Sequence, residues 1–167
     1  MSEIKTKYLL TINLQFELEK LDRPTPYGGR RFVHSGSGTF EGDGLKGTVV
    51  PGAFGWTLIR ADDVWEINVR VILRPDDDEE NAIYASWTGL RHAPREVTER
   101  LLNAPESVDP SEYYFRITPY FETGSKKYEW LNKICSIGIG EMGDQEGAKA
   151  SHISSVVEGA AGAGHPH

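Results

Sequence analysis

Tyr8–Leu18 reads YLLTINLQFEL. Taken with a period of two, Tyr8, Leu10, Ile12, Leu14, Phe16 and Leu18 fall on one face. Leu9, Thr11, Asn13, Gln15 and Glu17 fall on the other. One face is apolar and the other mostly polar. That split is the signature of a strand in an antiparallel sheet with one dry side and one wet side.

The same signature recurs along the chain. Over Val64–Arg74, Trp65, Ile67, Val69, Val71 and Leu73 oppose a mixed face of Val64, Glu66, Asn68, Arg70, Ile72 and Arg74. Over Ala82–Thr88, Ile83, Ala85 and Trp87 oppose Tyr84, Ser86 and Thr88. Over Glu112–Glu122, Tyr113, Phe115, Ile117, Pro119 and Phe121 oppose Tyr114, Arg116, Thr118, Tyr120 and Glu122. Further strands are expected at Arg30–Phe40, Leu45–Val50, Trp56–Ala61, Ile134–Ile139 and Ala148–Glu158. The run Ser35-Gly36-Ser37-Gly38 should bulge the first of these. Arg95–Asn103 is the one good helical stretch, with Pro94 before it and Ala104-Pro105 after it. Lys126–Leu131 suits a single helical turn.

Eight to ten closely spaced strands with turn residues between them predict an all-β fold, a barrel or sandwich of antiparallel hairpins with one short helix. Residues 1–158 form a single domain in this reading. Residues 159–167, small and glycine-rich, form a disordered tail.

A net charge of −7 argues against nucleic acid as a partner, since phosphate recognition needs clustered Lys and Arg. No apolar run approaches a membrane span, and the N-terminus lacks the apolar core of a secretory signal. The single cysteine, Cys135, excludes an internal disulfide and a cysteine metal cluster, so a cytoplasmic location is the simplest expectation. Cys135 falls in an apolar strand, where a thiol is inert. Acidic Asp76–Glu80 reads as a solvated hairpin turn. No Gly-x-Ser-x-Gly elbow, dinucleotide fingerprint or metal-ligand spacing is present, and neither cofactor nor metal is expected.

Several separated motifs resemble one family. They are Gly47-Thr48-Val49-Val50-Pro51-Gly52 with Trp56, the Val69-Arg70 strand, Tyr113-Tyr114-Phe115-Arg116, Phe121-Glu122-Thr123-Gly124 and Tyr128-Glu129-Trp130-Leu131-Asn132. Together they resemble the small proteins grouped as domain of unknown function 3237, over about Tyr8–Val157. The resemblance implies a single antiparallel barrel with a cavity at one end, similar to the allene oxide cyclase and dirigent type. Barrels of that type guide cyclisation of reactive small molecules. It also implies acids at two positions where this chain has Gly55 and Asn68.

Expected functional residues follow from strand faces converging in a lumen. Arg70 and Arg116 suit an anion holder because the guanidinium stays charged and offers a planar fork of donors. Glu122 and His34 suit proton transfer, a carboxyl because burial raises its pKa and an imidazole because its pKa lies near neutrality. Glu17, Tyr84, Tyr114, Tyr120, Trp65 and Trp87 are expected to line the substrate. The expected function is a cofactor-free enzyme acting on a small aromatic or polyketide-like metabolite by cyclisation, isomerisation or dehydration. The alternative is a carrier that binds a hydrophobic molecule without chemistry. Alternate apolar residues on the outer face point to a homodimer. One question stays open at this level: the polar face of Glu112–Glu122 is either a pocket lining, the reading favoured, or a solvated skin.

Overall fold

The computed structural model describes residues 4–20, 23–52, 54–143 and 148–157. Nine strands run in chain order: β1 (Lys5–Lys20), β2 (Gly29–Gly42), β3 (Leu45–Val49), β4 (Phe54–Ile59), β5 (Trp65–Pro75), β6 (Ile83–His92), β7 (Tyr114–Thr123), β8 (Ser136–Met142) and β9 (Ala148–Val157). One helix, α1 (Arg95–Asn103), interrupts them between β6 and β7. All pairings are antiparallel.

The sheet closes on itself. The strand order is β1-β9-β8-β7-β6-β5-β3-β2-β4, and β1 also pairs with β2 while β4 also pairs with β5. β3 and β4 lie end to end between β2 and β5. β3 pairs with Gly38–Gly42 of β2, and β4 with Gly29–His34. Nine strands therefore fill eight positions round the ring, a size whose interior side chains can nearly fill.

Alternation decides what fills it. Leu10, Ile12, Leu14, Phe40, Val49, Ile67, Val71, Leu73, Ile83, Trp87, Phe115, Ile117, Phe121 and Ile153 are all buried in one continuous core. Glycines make room where large side chains arrive. A Cβ on Gly140 would sit 2.5 Å from the Phe115 ring, and one on Gly138 2.8 Å from Ile117 Cγ1. The expected bulge in β2 is present: Gln15 pairs with Ser37 but Phe16 with Ser35, which leaves Gly36 as the extra residue.

The two ends of the ring are covered differently. At the β7–β8 connection a 3-10 turn, Glu129–Lys133, lays Leu131 and Tyr128 over the core. It lies slightly later than the turn expected at Lys126–Leu131. At the other end, α1 and the segment after it contribute Val97, Leu101 and Val108 to the core. Arg100 there makes a bidentate ion pair with Glu112, at 2.9 and 3.0 Å. β6 runs to His92, well past the expected end at Thr88, because Gly89 continues the ladder opposite Ile67 and Ile117. Cys135 is exposed just before β8, a correction to its expected place inside an apolar strand. No helix among the described residues is long and apolar enough to cross a membrane. The expected tail at 159–167 lies outside the described residues.

Candidate functional site

The polar face of β7 is the outside of the barrel. Its inward positions are taken by Phe115, Ile117, Pro119 and Phe121, which leaves Tyr114, Arg116, Thr118, Tyr120 and Glu122 facing solvent. The expected lumen lining is therefore corrected at most of its residues. Arg70, Arg116, Tyr120 and Glu122 are exposed, and half-buried Tyr84 pairs with Glu122 on the same outer surface. Glu17 and His34 approach to 3.9 Å, also outside. Tyr114 stacks on His92 at 4.9 Å, and the Arg116 guanidinium lies over the Tyr114 ring while donating to Phe115 O at 3.1 Å. Of the expected substrate contacts, Trp65 and Trp87 alone point inward and are buried.

Part of that outer surface is concave. A broad depression of about 920 Å³ crosses β4 to β9, with Trp56, Leu58, Leu90, Tyr114, Ile137 and Ile139 among its apolar side chains and Glu66, Asn68, Arg116 and His152 among its polar ones. It is open to solvent, and its histidine is already engaged. His152 Nδ1 is 3.0 Å from Thr11 Oγ1, and Nε2 is 3.3 Å from a Glu141 carboxylate oxygen. Both ring nitrogens therefore already have partners within the protein.

Two inward charged groups gather elsewhere, at the end where β5 begins and β6 finishes. Trp65 pairs with Arg91 across these strands, and Arg31 of β2 sits two residues before Val33 on the inward face. Both guanidinium carbons lie over the Trp65 ring, Arg91 at 3.7 Å and Arg31 at 4.3 Å, within cation–π range. Arg91 is 2% exposed. Its Nη1 meets Met142 Sδ at 3.6 Å, and its Nη2 has no hydrogen-bond partner among the described residues. Burial pushes the Arg91 pKa down to about 10, and the charge of Arg31 adds to the effect. Burial lowers Arg31 as well. Tyr113 completes the cluster: its hydroxyl accepts the Met142 backbone N–H at 3.0 Å, and burial raises its pKa.

A small cavity of about 30 Å³, room for roughly one water, lies inside the barrel next to these groups. Leu14, Phe16, Val33, Phe54, Gly55, Thr57, Ile67, Val69, Trp87, Phe115 and Ser151 line it. Thr57 pairs with Arg31 and Phe115 with Arg91, so the cavity wall continues directly into the arginine cluster. Gly55, where the family resemblance implies an acid, faces this cavity and leaves it apolar. Asn68, the second such position, lies on the outer depression. Among the described residues no three His, Cys, Asp or Glu side chains gather closely enough to hold a metal ion.

Sequence reasoning missed Arg31, Arg91 and Tyr113 as a group. A signal existed. Ile83, Ala85, Trp87, Gly89 and Arg91 continue one inward series, but ending the strand at Thr88 hid its last member. Arg31 precedes Val33 with the same parity.

The family model described as "Protein of unknown function (DUF3237)" matches residues 4–157. A UPF0311 protein of Clostridium acetobutylicum is 38% identical over 104 residues, a match spanning 62% of this chain and 64% of that protein. Among solved structures, a conserved protein of unknown function from Rhodopseudomonas palustris superposes with a TM-score of 0.86 at 26% identity, covering 94% of this chain and all of that one. A β-barrel-like protein from Acinetobacter baumannii gives a TM-score of 0.76 at 29% identity, covering 94% and 98%.

Proposed function

This chain belongs to the DUF3237 family of proteins of unknown function, and from that premise we propose that it binds a small, largely apolar molecule inside the barrel, at the end marked by Arg31, Trp65 and Arg91. One observation carries the reading. The two inward charged groups of an otherwise uncharged interior, Arg31 and Arg91, lie beside a cavity walled by Phe16, Val33, Val69, Trp87 and Phe115. A few convergent polar groups on an apolar wall are what a ligand site needs. Phe16 and Val33 are half-buried and Phe54 is exposed at the cavity wall, so these side chains yield first when something larger than water enters.

Catalysis is the second reading, favoured by Tyr113. A cofactor-free cyclase, isomerase or dehydratase needs a group to move a proton and a cation to hold the resulting enolate or phenolate. Tyr113, its phenol held protonated by burial, could donate a proton or hydrogen bond, and Arg91 could hold the anion. The carrier reading ranks first because the cavity wall holds no carboxylate or histidine among the described residues.

A homodimer formed across the outer depression belongs to the same proposal. Trp56, Leu90, Tyr114, Ile137 and Ile139 are exposed there beside charges of both signs, Arg116 and Glu66, as a self-complementary face requires. Light scattering at micromolar concentration should give twice the chain mass, and a monomer would remove the claim. A cytoplasmic site of action fits a chain whose one cysteine is an exposed free thiol.

The test of the main reading is a lumen block. Val69→Trp should abolish tryptophan-fluorescence changes and thermal stabilisation by small aromatic probes, while a tryptophan placed on the outer face at Ile72 should not. Equal probe binding by the wild type and Val69→Trp would contradict an internal site.

A further inference from the structure

We infer that the molecule taken up at the arginine end is an organic anion, a carboxylate, phenolate or enolate on a flat apolar body, with Arg91 and Arg31 as its charge partners. This rests on the internal small-molecule site proposed above and adds the chemical class of its ligand.

Charge accounting carries the inference. A guanidinium offers five N–H donors and stays protonated at neutral pH. Arg91 is almost fully buried, yet among the described residues one donor has no partner and another has only a thioether sulfur. The ion pairs among the described residues engage Arg60, Arg95, Arg100, Lys127, His34 and His152, and none involves Arg31 or Arg91. Two cations instead share one indole ring. The ring quadrupole attracts each of them but does not neutralise either. Buried charge is normally paired, and a buried unpaired cation is costly. An anionic oxygen placed among Arg91 Nη2, Arg31 and Tyr113 removes that cost. Tyr113 accepts from Met142 N, so its own proton is left to donate.

The neighbouring surface specifies the rest of the ligand. Thr57, Phe115, Val69 and Trp87 continue from the arginines into the barrel, and the side chains that wall the cavity are almost all apolar. A delocalised oxygen anion on a flat ring meets the arginines with its charged edge and this wall with its body. A phosphate ester or a sugar acid would bring polar surface that the wall cannot satisfy.

The experiment compares 1-naphthoate with neutral 1-naphthamide at constant ionic strength, read by tryptophan fluorescence and thermal melting. The wild type, Arg91→Met, Arg31→Met and Val69→Trp are tested in parallel. Naphthoate is expected to bind at least about tenfold more tightly than naphthamide, as a charge-assisted contact requires. That preference should vanish in Arg91→Met and shrink in Arg31→Met, while naphthamide binding persists in both. Val69→Trp should lose both probes. Equal binding of the two probes, with Arg91→Met indifferent, would overturn the anion assignment and leave the internal site standing. Failure of the wild type to bind either probe would overturn both.

Discussion

The two ends of this barrel handle charge in opposite ways. At the end covered by the 3-10 turn Glu129–Lys133, Asp77 and Asp78 both have partners. Tyr128 donates to Asp77 at 2.6 Å, and Lys127 bonds the other oxygen of that carboxylate. Asn81 donates to Asp78 at 2.8 Å, and Ser125 does so from a fully buried position. These contacts tie the β5–β6 turn to the β7–β8 connection, about fifty residues apart, so the acidic run is the solvated turn it reads as and also a clasp. At the arginine end two cations share a tryptophan, and neither is in an ion pair among the described residues. In the reading proposed above, the clasped end serves structure and the unpartnered donor of Arg91 meets a ligand.

The contrast can be broken most severely at the clasped end. Leu131→Ala removes a side chain that is 1% exposed over the core. It should cost about 2–5 kcal/mol in urea denaturation, the range for a large-to-small change in a packed site. A loss well below 1 kcal/mol would show that this end is not packed as a lid.

A middle-sized effect concerns acid. Hydrogen bonds from Lys127, then Tyr128, hold the Asp77 carboxyl below its ordinary range, and those from Asn81 and Ser125 do the same for Asp78. Their folded pKa values are depressed, so the stability they contribute is complete above the ordinary carboxylate pKa. It is lost as pH falls through the depressed values. Melting temperature should therefore drop as pH falls below about 4, the ordinary carboxylate range, and the drop should be shallower in Asp77→Asn. An unchanged acid slope in that variant would separate Asp77 from the clasp. The Tyr128 phenol, buried and bonded to Asp77, is held above its usual value, and Tyr128→Phe should also lower the neutral-pH midpoint.

The smallest effects belong to the outer face. Arg116→Met and Glu122→Gln alter exposed side chains and should change stability by less than about 0.5 kcal/mol. Neither should alter probe binding at the arginine end. A severalfold loss of binding in either would return the site to the outer face of β7.

The strands were legible and the site was not, for one reason. Period-two alternation sorts residues onto two faces but carries no label for inside and outside. A wet lumen and a solvated skin produce the same pattern in Tyr114, Arg116, Thr118, Tyr120 and Glu122. The opposite face held the answer: Phe115, Ile117 and Phe121, with equals on seven other strand positions, leave an eight-position ring no room for a second polar lining. Arg91 was hidden by Gly89, which reads as a strand end but here lets Ile117 approach, since a Cβ there would meet Ile117 Cγ2 at 2.7 Å. The clasp at Asp77 and Asp78 joins segments about fifty residues apart and leaves no local pattern.

The central claim is that Arg91 is a buried cation without an ion-pair partner among the described residues. The most direct measurement is the unfolding free energy of ligand-free Arg91→Met against the wild type at neutral pH. Relief of an unpaired buried charge should leave the variant as stable or more stable, by up to about 1–3 kcal/mol. A destabilisation of about 3–5 kcal/mol, the mark of a broken buried ion pair, would contradict the account.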